Sequence, residues 1–276
     1  MHPDIIAALG TVEEVTAALG IETFLVGALV SELRAAQEGL PEPPRKTADA
    51  DFAVKVRNWE EFRKLRTKLV DAGFKPHRSI EHRLLMGTAM VDLVPFGEGV
   101  QTGDAAIVWP ESEFRMSVVG FEEACAEATS IDVPGGPTLR GVTVPGFFLL
   151  KVAAFMDRLP RGDPKWTSDA DGIWYWLEEY APVERDGRRF EVRELVGKEI
   201  EFPYTGGALL GLDVAKIAGE QATGIVRRFL AEQSIAYGKL VEHKAGILLG
   251  EDEFAQKRAE CLGRLDAFSA GFARKG

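Results

Sequence analysis

The chain has 276 residues, of which 46% are hydrophobic and 28% are charged, and its formal net charge is −10. This length accommodates one large domain or two of ordinary size, and no apolar run approaches the ~20 residues that a membrane helix needs. The acidic balance argues against a surface built mainly to bind nucleic-acid phosphates, although local basic patches are compatible with it.

Cysteine usage and the first residues indicate a reducing compartment. Cys125 and Cys261 are far apart and neither belongs to a CxxC pair, so neither a disulfide framework nor a zinc knuckle is expected. The opening residues MHPDIIAALG lack the basic segment and apolar core of a secretory signal. We therefore expect a cytoplasmic protein that does not associate with membranes.

The first half of the chain mixes helix and strand patterns. Gly27 falls where an apolar strand passes into a helix, a position at which the backbone can approach a ligand closely. In chain order the pattern predicts a helix at 4–19, a strand at 22–27, a helix at 28–37, a Pro-rich loop at 38–46, a strand at 48–56, a helix at 58–73 and two short strands within 83–97 that are joined at Gly87-Thr88.

Helical patterns dominate after Pro145. Further helices are predicted at 147–159, 169–181, 211–233 and 251–275, whereas Gly206-Gly207 is interpreted as a turn. The predicted fold class is therefore α+β, with a mixed sheet and its helices in a first domain at 1–140 and a mostly helical second domain at 141–276.

The stretch KTADADFAV contains two aspartates just before an apolar run. Alternate residues of a strand share one face, so Asp49 and Asp51 are expected to point the same way. Asp92 interrupts a second apolar strand, and a buried carboxylate needs a partner. If the two strands are neighbours, three oxygen donors converge, which is the chemistry that Mg²⁺ prefers.

A purely structural interpretation also fits these three aspartates. Asp49 would cap a turn, Asp51 would pair with Lys46 or Lys55, and Asp92 would pair with an arginine. Spacing alone does not decide between a metal site and these local partners, because two aspartates two residues apart often occur by chance.

The segments FLVGALVSE, RKTADADFAV and MVDLVPF together resemble the DNA polymerase β-type nucleotidyltransferase superfamily, and within it the AbiEii-like (MenT-type) toxins. Arg45, Thr47, Asp49 and Asp51 match the Arg-x-Thr-x-Asp-x-Asp strand of that family. The third carboxylate and the first turn glycine are matched by Asp92 and Gly27. The family's usual Ser or Gly after that glycine is replaced by Ala28.

The resemblance extends over residues 20–180 and implies a set of site residues. The second domain would complete the nucleotide cleft with Lys151, which contacts the triphosphate in the family. The aspartate at the start of the next helix is either Asp169 or Asp171, and we favour Asp171 because it directly precedes an apolar run. The implied catalytic residues are Asp49, Asp51, Asp92, Lys151 and Asp171, with Asp49, Asp51 and Asp92 as metal ligands. The implied nucleotide-binding residues are Gly27, Ala28, Ser31, Arg45, Lys46, Thr47, Lys151 and Arg158.

The resemblance also implies an activity. Two Mg²⁺ ions, or Mn²⁺, would assist transfer of a nucleoside monophosphate from an NTP to an acceptor hydroxyl, with RNA or tRNA as the acceptor and an antitoxin protein as a possible partner. A small-molecule acceptor, as in the antibiotic nucleotidyltransferases, and a non-catalytic nucleotide-binding regulator of the same fold are the alternatives.

Overall fold

The structure is a computed structural model of the chain, and it describes residues 1–44, 49–182, 185–231, 235–246 and 251–274. The chain forms two compact units, Met1–Thr143 and Val144–Gly276. Within the described ranges, no helix combines the length and the apolar character that a membrane span requires.

The first unit is built on a mixed seven-stranded sheet with the strand order β3-β4-β5-β2-β1-β9-β8, and β6 and β7 form a separate hairpin. Its elements are α1 (Pro3–Leu19), β1 (Glu22–Val26), α2 (Gly27–Gln37), β2 (Asp49–Lys55), α3 (Trp59–Asp71), β3 (Lys75–Pro76), β4 (Arg83–Met86), β5 (Ala89–Phe96), β6 (Ala106–Val108), β7 (Arg115–Ser117), α4 (Phe121–Ala126), β8 (Thr129–Asp132) and β9 (Thr138–Gly141).

The centre of this sheet is its most apolar part. The strand β2 pairs antiparallel with β1 and parallel with β5, and Phe52, Val54 and Leu93 on these strands are fully buried. Burying one such side chain contributes about 1.5–3 kcal/mol. A rigid pair of strands therefore carries the three aspartates singled out by the sequence.

The second unit is helical. Its elements are α5 (Val144–Arg158), α6 (Trp166–Glu179), α7 (Val192–Val196), α8 (Thr205–Ile217), α9 (Glu220–Leu230), α10 (Ile235–Ala245) and α11 (Glu251–Phe272), with 3-10 turns at Leu159–Arg161, Gly187–Phe190 and Phe202–Tyr204. A mixed sheet followed by a helical part confirms the predicted α+β fold class.

Two sequence predictions in this unit are wrong. Gly206 and Gly207 do not form a turn but lie buried inside α8. The helix predicted over 211–233 is interrupted where α8 ends at an extended Ala218. A Cβ at Gly211 would overlap the carbonyl of Phe268. Glycine on α8 therefore serves close packing against α11, and this need for small residues overrides their usual role as helix breakers.

Candidate active site

Three carboxylates share one face of the central strand pair. In the parallel pairing of β2 with β5, Asp51 is the register partner of Asp92, and Asp49 is the partner of Met90. Asp49 and Asp51 are two residues apart on β2, so all three side chains emerge on the same side of the sheet. The strands that carry the three aspartates are thus neighbours, which is the condition that the predicted magnesium site requires.

The start of α2 lies directly against this face. Gly27 is the first residue of α2 and has a φ of +70°. It follows Val26, the antiparallel register partner of Asp51. A Cβ at position 27 would overlap the Asp51 carboxylate. Only glycine combines this left-handed backbone with the close approach of the carboxylate.

We expect Gly27→Ala to destabilise the protein, because the new methyl group must push the Asp51 carboxylate aside and also adopt a left-handed backbone. The left-handed backbone conformation alone costs an alanine about 1–2 kcal/mol of unfolding free energy. Gly20→Ala is a matched control, since Gly20 has a φ of +66° and would place its Cβ in open space. Urea unfolding should therefore show a larger loss of unfolding free energy for Gly27→Ala than for Gly20→Ala. Equal losses would contradict the overlap with Asp51.

A guanidinium group lies between two of the three carboxylates. Arg83 donates from Nε to Oδ1 of Asp92 at 2.7 Å and from Nη2 to Oδ2 of Asp92 at 2.8 Å. The same Nη2 lies 3.4 Å from Oδ2 of Asp49. The hydrogen bonds with Asp92 are the main reason that the pKa of Arg83 is raised above its ordinary value. Asp92 therefore pairs with an arginine, as the purely structural interpretation predicts.

His82 borders the same carboxylate. Its Nε2 lies 3.8 Å from Oδ2 of Asp92, and its ring lies 5.3 Å from that of Trp109. Trp109 is buried, and its indole nitrogen has no hydrogen-bond partner in the described part of the chain. Asp92 thus lies beside the Arg83 cation and the His82 ring, which in turn packs on Trp109.

The donor set suits a hard divalent cation, because it consists only of carboxylate oxygens. Across the described ranges, however, no three His, Cys, Asp or Glu side chains are arranged so that they could hold a metal ion. Both oxygens of Asp92 accept from Arg83 instead. The three-carboxylate magnesium site therefore stays a prediction.

The remaining nucleotide-binding predictions in this unit divide into three cases. Arg45, Lys46 and Thr47 lie outside the described residues. Ala28 is half-buried in the first turn of α2, where its backbone N–H belongs to the helix start. Ser31 is only 5% exposed, so little of its side chain is accessible to a phosphate.

The helical unit contains a buried aspartate held by two cations. Oδ1 of Asp169 accepts from Nζ of Lys151 at 2.9 Å, and Oδ2 accepts from Nη1 of Arg158 at 2.6 Å. Asp171, which we favoured from the sequence, instead contacts Nε2 of His243 at 2.8 Å. The residue that meets the two predicted triphosphate ligands is therefore Asp169.

A large cavity of the first unit lies elsewhere. It has a volume of about 1100 Å³ and is lined by residues at the far end of β2, including Lys55, Val56 and Arg57. These residues are separated from Asp49 by almost the whole strand. Lys55 itself pairs with Glu122 at 2.8 Å. The cavity is therefore not part of the aspartate face.

No protein-family model matches the chain, and no curated protein matches it. Similar solved structures include the antibiotic-resistance factor ANT(2'')-Ia in solution, at 14% identity over 64% of this chain and 86% of that chain, with a TM-score of 0.42. A nucleotidyltransferase-like protein from Paracoccidioides brasiliensis has 14% identity over 66% and 79% of the two chains, with a TM-score of 0.42. A CCA-adding enzyme in its apo form II has 13% identity over 94% and 71%, with a TM-score of 0.27.

One of these neighbours is described as nucleotidyltransferase-like, and membership of the AbiEii-like group is not shown. Similarity at this identity and TM-score does not by itself assign an activity to this chain.

Arg83 is the site residue that the sequence interpretation missed, although a signal for it exists. The two-residue turn at Gly87-Thr88 fixes the register of the β4–β5 hairpin, and this register places Arg83 opposite Asp92. A lone arginine in an apolar strand opposite a lone aspartate predicts an ion pair. The sequence pattern predicts the hairpin, and the register follows from the position of its turn.

Proposed function

We propose that the protein is a Mg²⁺-dependent nucleotidyltransferase that transfers a nucleoside monophosphate from an NTP to an acceptor hydroxyl. The observation that carries this proposal is the placement of Asp49, Asp51 and Asp92 on one face of two paired strands, against the start of α2. Three carboxylates kept this close are costly without a cation. Arg83 supplies one positive charge to this face.

Each residue of this face has a role in the proposed reaction. Asp49 and Asp51 would bind the divalent ion, which supplies charge neutralisation for the phosphates. The first N–H groups of α2 form a helix start of the kind that binds phosphate. The acceptor oxygen forms a bond to the α-phosphorus, the bond from that phosphorus to the bridging oxygen breaks, and pyrophosphate leaves while the acceptor proton passes to solvent.

Basic residues would hold the leaving pyrophosphate. Lys151 and Arg158 are assigned to the triphosphate by the sequence motif, and their hydrogen bonds to Asp169 fix where their charged groups lie. Arg45 and Lys46 are proposed to assist. Asp169, rather than Asp171, is proposed as the aspartate that orients these cations.

The acceptor is proposed to be RNA, with a tRNA end as the first candidate, and the chain would then act as the toxin of an AbiEii-type toxin–antitoxin pair. This assignment is supported by the sequence motifs alone. A small-molecule hydroxyl is the alternative acceptor. Competition between total RNA and an aminoglycoside mixture for the same labelled NTP distinguishes the two.

A second candidate function is a non-catalytic nucleotide-binding regulator. It is favoured by the bidentate hydrogen bonds that engage both oxygens of Asp92 with Arg83. It is also favoured by Ala28, which lacks the hydroxyl that the family places after the turn glycine. Such a protein would bind NTP without releasing pyrophosphate.

The test is incubation with each α-labelled NTP, Mg²⁺ and total RNA, followed by gel electrophoresis and an assay for released pyrophosphate. The proposal predicts labelled RNA from at least one α-labelled NTP and none from the same NTP labelled at the γ-phosphate. Nucleotide binding without pyrophosphate release, with RNA and small acceptors both supplied, would favour the regulator and overturn the transferase.

A further inference from the structure

The Arg83–Asp92 pair is enclosed rather than superficial. The side chain of Arg83 is 16% exposed and that of Asp92 is 10% exposed. The planar guanidinium meets both carboxylate oxygens, an arrangement that gives stronger and more directional hydrogen bonds than a single contact. An ion pair on the surface contributes little to stability. This pair, in contrast, is sheltered from water, and the register of β4 and β5 fixes its two residues opposite each other.

Arg83 does not leave this position by losing its proton. An arginine keeps its charge throughout the working pH range, and here the hydrogen bonds with Asp92 raise its pKa further. Only competition by another cation for the carboxylates, or by another anion for the guanidinium, can separate the pair. Arg83 supplies one positive charge to a face that carries the three carboxylates of Asp49, Asp51 and Asp92.

A divalent ion and Arg83 compete for the same lone pairs of Asp92. We propose that Arg83 is a resident counter-cation that weakens the binding of free divalent ions to this face and yields when the ion arrives with a nucleotide. This inference rests on the proposed function. The triphosphate supplies the anion that the released guanidinium needs, since guanidinium groups bind phosphate through two parallel hydrogen bonds.

The proposed competition between Arg83 and the ion makes metal binding depend on the nucleotide. Without nucleotide, Arg83 neutralises Asp92 and reaches Asp49, so a free ion meets a face that has already lost part of its charge. With nucleotide, both the ion and the arginine acquire phosphate partners. Arg83 is therefore a positioning residue, and its effect appears in metal affinity before any chemical step.

The test is Mn²⁺ binding to the whole protein, followed through the electron paramagnetic resonance signal of the free ion. In the absence of nucleotide, Arg83→Gln is expected to bind Mn²⁺ about tenfold more tightly than the natural protein, because one nearby positive charge is removed. Arg83→Lys, which keeps the charge but loses the bidentate contact, should fall between them. Unchanged or weaker binding by Arg83→Gln would overturn the inference.

Arg57→Gln is the matched control. It removes an exposed arginine that pairs with Glu61 on α3, and it should leave Mn²⁺ affinity unchanged. Circular dichroism and thermal melts in EDTA confirm that each variant is folded.

A second measurement needs no variant. A non-hydrolysable NTP analogue should tighten Mn²⁺ binding to the natural protein about tenfold beyond the Mn²⁺ that the analogue binds alone in solution, since it supplies the phosphate partner for Arg83. Equal affinity with and without the analogue would overturn the inference even if Arg83→Gln failed to fold. Complete absence of Mn²⁺ binding to all variants, with the analogue at saturation, would overturn the proposed function as well.

Discussion

Asp51→Asn is expected to reduce nucleotidyl transfer by about 10³-fold while leaving the protein folded. A lost charge contact of this kind in a transfer reaction removes roughly 4 kcal/mol of transition-state stabilisation. The amide keeps the shape of the carboxylate against Gly27, so the unit should retain its packing. Initial rates with the preferred α-labelled NTP, measured at saturating RNA, provide the test.

Asp71→Asn is the control for this variant. Asp71 ends α3 and pairs with Lys68 at 3.2 Å on the surface, so its loss should leave the rate unchanged. Asp49→Asn should resemble Asp51→Asn. Asp92→Asn is less informative, because it also leaves Arg83 without its bidentate partner. Rates within twofold of the natural protein for both Asp49→Asn and Asp51→Asn would refute the catalytic assignment.

Asp169→Asn is expected to cost both stability and nucleotide affinity. The carboxylate is fully buried and holds Lys151 and Arg158, and removing one member of a buried ion pair is strongly destabilising. The two cations are 17% and 29% exposed, so water can partly solvate them, and a loss of about 2 kcal/mol is expected. The KM for NTP should rise about tenfold as the cations lose their orientation.

Asp171→Asn is the paired variant for this second prediction. The side chain of Asp171 is 43% exposed and contacts His243, so its replacement should change the unfolding free energy by less than about 0.5 kcal/mol. Its KM for NTP should stay unchanged. If Asp171→Asn raises the KM and Asp169→Asn does not, the aspartate favoured from the sequence alone is the functional one.

The sequence was sufficient to predict the elements that bear the site. Alternating apolar residues predict the β2 strand, and the glycine after β1 predicts the start of α2. The cap of α3 was also predictable, because asparagine is a preferred N-cap residue. In the structure, Asn58 accepts a hydrogen bond from the N–H of Glu61 at 2.9 Å. These features depend on residues close together in the chain.

Features that depend on distant packing could not be predicted in the same way. Asp169 and Asp171 are two residues apart on a helix and point about 200° apart around its axis, so only one of them can meet α5. The choice depends on how α6 packs, which local spacing does not encode. The presence of glycine within α8 is likewise explained only by the close packing of α11 against it.

Metal binding in the presence of nucleotide tests the central claim most directly. Crystals grown with Mn²⁺ and a non-hydrolysable NTP analogue should show an anomalous peak beside the carboxylates of Asp49 and Asp51, with the guanidinium of Arg83 displaced from Asp92. Bound analogue without a metal peak at these aspartates, and with the Arg83–Asp92 pair intact, would contradict the account.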